Sequence, residues 1–103
     1  MLYIPTDNTA ASNSELISNI ALNAATPIIA GEEGLCKGCG VATLSISYYD
    51  LGRVTGEMAA EILTGGAKPG EMQIRYAPFT KKYDAGICAA LGITVPEDYV
   101  AIS

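Results

Sequence analysis

Short apolar runs alternating with helical patterns predict an α/β domain built on a mainly parallel sheet. Two observations carry most of this reading. Leu2-Tyr3-Ile4 and Pro27-Ile28-Ile29-Ala30 are brief apolar runs, and each stops abruptly in polar residues, Thr6-Asp7-Asn8 after the first and Gly31-Glu32-Glu33 after the second. The residues between them carry a helical period, so the two runs read as neighbouring strands of a buried parallel sheet. Ligands of such sheets sit just beyond the carboxyl ends of the strands. The carboxylates of Asp7, Glu32 and Glu33 and the amide of Asn8 would therefore surround one opening, chemistry suited to a small polar or cationic group.

The remaining elements follow in order. Ser12 and Glu15 have capping-box spacing, and Leu16, Ile17, Ile20, Ala21 and Ala24 mark one face. This predicts a helix that begins between Thr9 and Ser12 and ends before Pro27. Gly34 to Gly40 is glycine-rich and reads as loop. Ala42 to Ser47 alternates like a strand. Leu51, Val54, Met58 and Ile62 place a helix over about 49–63, with Gly65-Gly66 as its stop. Met72 to Phe79 is the last strand expected, and a short helix from about Asp84 ends at Gly92.

Bulk properties narrow the function classes. A chain of 103 residues, half of them hydrophobic, is one globular domain at most. No apolar run approaches the roughly twenty residues of a membrane span. The net charge of −5 makes nucleic acid and anionic membranes poor partners. Histidine is absent, which removes the usual general base and the commonest metal ligand. There is also no nucleophile elbow and no phosphate loop, so an enzyme would have only carboxylates to work with.

Three cysteines do not make a disulfide framework. Cys36 and Cys39 form a Cys-x-x-Cys pair, the spacing of a redox couple or of half a zinc site. A redox couple needs its first thiol at a helix N-terminus, and Gly34, Gly38 and Gly40 argue for loop. Zinc needs four ligands, and Cys88 is the only further one of its type. The expectation is metal-free loop cysteines at 36 and 39, with Cys88 on the apolar face of its helix beside Ile87 and Leu91.

The wording of the sequence is more specific than its periodicity. Tyr3-Ile4-Pro5-Thr6-Asp7-Asn8-Thr9, Ala30-Gly31-Glu32-Glu33-Gly34 and Ala42-Thr43-Leu44-Ser45-Ile46-Ser47-Tyr48-Tyr49-Asp50-Leu51-Gly52-Arg53 occur in that order. Thr55-Gly56-Glu57-Met58-Ala59-Ala60-Glu61-Ile62-Leu63 and Ala90-Leu91-Gly92-Ile93-Thr94-Val95-Pro96 follow. Together they resemble the carboxyl-terminal part of ABC transporter substrate-binding proteins of the tryptophan/tyrosine type. The resemblance covers essentially the whole chain. It implies part of a type I periplasmic-binding-protein fold: a three-layer α/β lobe, a ligand closed between two lobes, and crossing strands that join them.

By that resemblance, residues 1 to about 40 and about 72–103 would be segments of the second lobe, and about 41–66 would belong to the first. The family protein is considerably longer, so the chain is expected to be a carboxyl-terminal fragment. The rest of the first lobe and a lipoprotein signal would precede it. The function implied is extracytoplasmic binding of a small amino-acid-like ligand, aromatic ones included, for delivery to the transporter permease, with no cofactor and no metal. Of the site residues, Thr6, Asp7, Asn8 and Glu33 would face the cleft. Asp7 and Glu33 would take the ligand's ammonium, and Asn8 either end of the ligand. Asp7 and Asn8 suit a helix cap equally well, whereas Glu33 has no expected helix to cap. The family pattern assigns no role to Cys36 and Cys39. Tyr48 and Tyr49 could line the cleft, although packing against the sheet is the commoner use of such a pair.

The effector-sensing domain of a transcriptional regulator shares this fold and is the alternative. The stripe of Leu51, Val54, Met58 and Ile62 would pack in the family on a lobe this chain does not contain, which predicts a homo-oligomer, most simply a two-fold dimer.

Overall fold

A computed structural model describes residues 1–103 of the protein. It contains a five-stranded sheet in the order β1 (Leu2–Ile4), β2 (Ile28–Ala30), β3 (Ala42–Ile46), β4 (Phe79–Tyr83) and β5 (Val100–Ala101). β1 runs parallel to β2, with Ile4 opposite Ala30, and β2 parallel to β3, with Ala30 opposite Thr43. β4 and β5 form a further parallel pair, with Tyr83 opposite Ala101. Helices flank this mainly parallel sheet, giving the three-layer α/β class.

The residues fall into two compact units. The first, Met1–Ser45 with Thr80–Ser103, holds the core. Ala21, Ile28, Ala30, Leu35, Cys36 and Cys39 are buried together there, with Ile4, Ala10, Ile17 and Ile102 packed against them. Alternation explains the selection: Ile28 and Ala30 face inward from β2, while Ile29 between them is only half-buried. The second unit, Ile46–Phe79, is dominated by α4 (Tyr48–Thr64), which is capped by Ser47 accepting from the Asp50 amide. A short 3-10 turn at Pro69–Glu71 follows, and Arg75 pairs with Glu61 at 2.8 Å. No residue of α4 is buried.

Several sequence expectations need correction. The single helix expected after β1 is two, α1 (Asn8–Ser12) and α2 (Ser14–Asn23). Asn13 separates them: its side chain donates to the Thr9 carbonyl at 2.8 Å, and its amide to Ala10. Ser12 donates to the Asn8 carbonyl rather than capping. Such local bonds offer the backbone an alternative to the continuing ladder.

The segment read as a glycine-rich loop is a helix, α3 (Glu33–Cys39). Its two internal glycines are tolerated because Gly38 sits where a Cβ would lie 2.5 Å from Ser14, and because Leu35, Cys36 and Cys39 anchor the helix in the core. Tertiary burial overrides weak propensity here.

The last strand lies at Phe79–Tyr83, later than the Met72–Phe79 expected, and β5 had no clear signature. The final helix, α5 (Ala85–Ala90), is where it was expected, and Cys88 is its buried residue.

Two helices of the first unit end in the same way. After α5, Gly92 takes φ 65, the Gly92 amide donates to Ala89 and the Ile93 amide to Cys88. After α2, Ala25 takes φ 48 and the amides of Ala25 and Thr26 donate to Leu22 and Ala21. Both are Schellman stops, and the second places an alanine where glycine is favoured.

Candidate ligand site at the carboxyl edge of the sheet

The β1–α1 and β2–α3 turns lie side by side. β1 and β2 are in register up to Ile4 and Ala30, and the Gly31 amide donates to the Ile4 carbonyl at 2.8 Å. The chains approach so closely that a Cβ on Gly31 would lie 2.6 Å from the Thr6 nitrogen. Thr6 Oγ1 donates weakly to the Gly31 carbonyl at 3.4 Å. Thr6, Asp7 and Asn8 therefore follow one strand, and Glu32 and Glu33 the next, along one edge of the sheet.

Local structure already engages each carboxylate. Asp7 is the N-cap of α1, accepting from the Ala10 amide at 2.7 Å, and Asn8 is the first helical residue. Glu32 is the N-cap of α3, accepting from the amides of Gly34, at 2.7 Å, and Leu35. Glu33 opens that helix. Its Oε2 accepts from the Ser45 hydroxyl at 2.7 Å and from the Lys82 ammonium at 2.8 Å. These two bonds hold the Glu33 carboxyl below the ordinary carboxylate range, the Lys82 bond contributing most, the Ser45 bond next, against a smaller opposing effect of burial. A helix does follow, contrary to expectation, but Glu32 caps it and Glu33 is its first residue. Asp7 and Asn8 remain exposed and Glu33 half-exposed, so each keeps access to solvent.

Ser45 and Lys82 were not singled out from the sequence. They meet Glu33 across separations of 12 and 49 residues, and only the pairing of strands in the sheet brings them there. Below them on β3, the buried hydroxyl of Thr43 has no partner.

The cysteines are helical rather than in a loop. Cys36 Sγ donates to the Gly40 carbonyl at 3.5 Å, and Cys39 Sγ to that of Leu35 at 3.4 Å. Cys88 Sγ donates to Val41 at 3.4 Å. Burial raises all three thiol pKa values, and that of Cys36 is pushed up to about 12, with the Asp84 charge as a secondary cause. Such thiols are packing groups and not nucleophiles. No group of three or more metal-ligating side chains comes together.

The carboxyl edge thus presents exposed and half-exposed acidic, amide and hydroxyl side chains to solvent, with the three thiols buried away from it. Residues 1–102 match the family described as ABC transporter substrate binding protein. The chain belongs to that family.

Over 65 residues it is 42% identical to the tyrosine-binding protein of Clostridioides difficile strain R20291, a match covering 63% of this chain and 19% of that protein. Its structure is similar to that of a substrate-binding protein with adhesive properties from Clostridium difficile, solved in a ligand-free, open form. That likeness has a TM-score of 0.78 at 33% identity and covers 99% of this chain and 36% of the other. An ABC domain from Streptococcus pneumonia in complex with L-Trp matches at a TM-score of 0.70 and 30% identity, over 92% of this chain and 32% of that one. The chain thus spans about a third of the length of these solved relatives.

Members of the family are extracytoplasmic and bind solutes; they are not enzymes. The regulator alternative is not favoured. No helix is long and apolar enough to cross a membrane.

Proposed function

We propose that this chain forms the carboxyl-terminal portion of an extracytoplasmic solute-binding component of an ABC transporter. Its ligand is a small amino acid, aromatic ones included, held in the cleft between lobes of the parent protein. Thr6, Asp7, Asn8 and Glu33 line the ligand-facing edge of the second lobe. The observation that carries this reading is the run of polar side chains along the joined carboxyl ends of β1 and β2, the position where α/β sheets take ligands. Relatives described as tyrosine-binding and as a complex with L-Trp support the ligand class. Asp7 and Glu33 each use one carboxylate oxygen internally, which leaves the other for a ligand ammonium.

On the same reading, residues 1–40 and about 72–103 belong to the second lobe, and 41–66 contribute to the first. The parent carries a lipoprotein anchor and delivers its ligand to a permease. The chain by itself associates with a second copy.

Calorimetric titration of L-tyrosine and L-tryptophan into the full chain tests the ligand assignment. Saturable binding that Asn8→Ala and Glu33→Gln each weaken about tenfold is the expected result, as for loss of one charge-assisted contact. Absence of binding by either amino acid, or affinities indifferent to both substitutions, would overturn it.

A further inference from the structure

The Glu33–Lys82 pair deepens the ligand assignment and rests on it. Three carboxylates stand along the carboxyl edge, and two of them, Asp7 and Glu32, bond to the first-turn amides of α1 and α3. Glu33 differs, because its partner is a full cation at 2.8 Å. The pair is not sealed: the side chains of Lys82 and Glu33 are 27% and 39% exposed. Lys82 has three N–H donors and gives one to Glu33. Both bonds to Glu33 fall on Oε2, so Oε1 serves neither. Together the two side chains offer a spare acceptor beside spare donors at zero net charge.

A free amino acid presents the mirror of this pattern, an ammonium beside a carboxylate. The corresponding decarboxylated amine presents the cation alone. It would have to compete with Lys82 for Glu33 while meeting an unanswered ammonium.

We propose that the Glu33–Lys82 pair reads the zwitterionic head of the ligand, and that Lys82 is the residue that selects amino acids over simple amines. Ser45 positions the pair by fixing Glu33 Oε2 through its hydroxyl. Like-charge repulsion supplies the discrimination, and an unpaired Glu33 would reverse it.

The test compares L-tyrosine with tyramine by calorimetry on the full chain. The wild type is expected to prefer L-tyrosine by at least about tenfold, the range of one well-placed charge contact. Lys82→Gln and Lys82→Met, which leave Glu33 without its cation, are expected to shift the ratio toward tyramine by about tenfold. Glu33→Gln combined with Lys82→Met removes both charges and should abolish the gain in tyramine binding. An unchanged ratio in Lys82→Gln, or a wild type that binds tyramine as well as L-tyrosine, overturns the proposal while leaving the ligand assignment standing. A wild type that binds neither amino acid overturns both.

Discussion

Lys82 Nζ and Glu33 Oε2, 49 residues apart in the chain, lie 2.8 Å from one another and tie β4 to the first turn of α3. The same carboxylate oxygen accepts from Ser45 on β3. One side chain at the proposed site thus fastens a helix to two strands, and its protonation state bears on stability as well as on ligand charge.

The sign of the pH dependence follows from the direction of the Glu33 shift. Its folded pKa lies below the ordinary 4.5, so the stabilisation it contributes is complete above about 4.5. That contribution is lost as pH falls through the lower folded value. Urea unfolding of the wild type and of Glu33→Gln, at steps from pH 7 to pH 3, should show a stability gap that is widest at neutral pH and closes in acid. The carboxylate is half-exposed, so the gap is modest. A gap that widens as pH falls would contradict the assignment.

Much of this architecture was legible in the sequence. The strands at β1, β2 and β3 and the helix α4 each announced themselves by a run or a stripe with a polar stop, and the edge residues Thr6, Asp7 and Asn8 followed from them. What the sequence hid was set by tertiary contact. α3 was masked by Gly34 and Gly38, which are acceptable only because the core takes Leu35, Cys36 and Cys39. Asn13 broke a helix whose apolar period continues across it. Lys82 and Ser45 carry no local signal for Glu33, because sheet pairing and not spacing joins them. β5 is two residues long, shorter than any periodicity can register.

Asp7 separates the two uses of an edge carboxylate. Its bond to the Ala10 amide caps α1, and removal of such a cap costs about 1 kcal/mol. Asp7→Ala should therefore lower stability by about that amount, whereas Asp7→Asn, a comparable cap, should leave it nearly unchanged. If Asp7 also takes the ligand's ammonium, Asp7→Asn will weaken binding without weakening the fold. Thermal unfolding and calorimetric titration of the two variants read the two roles independently.

Two backbone positions predict opposite outcomes for exchanges between glycine and alanine. A Cβ on Gly31 would meet the Thr6 nitrogen at 2.6 Å and the Pro5 carbonyl carbon at 2.9 Å. Neither atom can swing aside as a side chain would, so Gly31→Ala should destabilise by about 1–3 kcal/mol. Ala25 holds φ 48 at the end of α2, a conformation that alanine adopts only at a cost, so Ala25→Gly should stabilise by about 0.5–1 kcal/mol once the added chain entropy is offset. Urea midpoints of the two variants that moved in the same direction would contradict this account of the turns.

The second unit makes the case for a partner. α4 buries none of its residues, and Leu51, Ile62 and Leu63 are 41%, 37% and 84% exposed. Val54 and Met58 on the same stripe are only half-buried. Full burial of such side chains is worth roughly 1.5–3 kcal/mol each, and contiguous exposed apolar surface marks an interface. A two-fold dimer brings each stripe against its own copy, which matches apolar residues with apolar residues without requiring a second surface. Light scattering at micromolar concentration should give twice the 10.7 kDa chain mass. Leu51→Lys combined with Ile62→Lys, placing charges on the stripe, should return the chain to monomer with its sheet intact by circular dichroism. A folded wild type at the monomer mass would exclude the dimer.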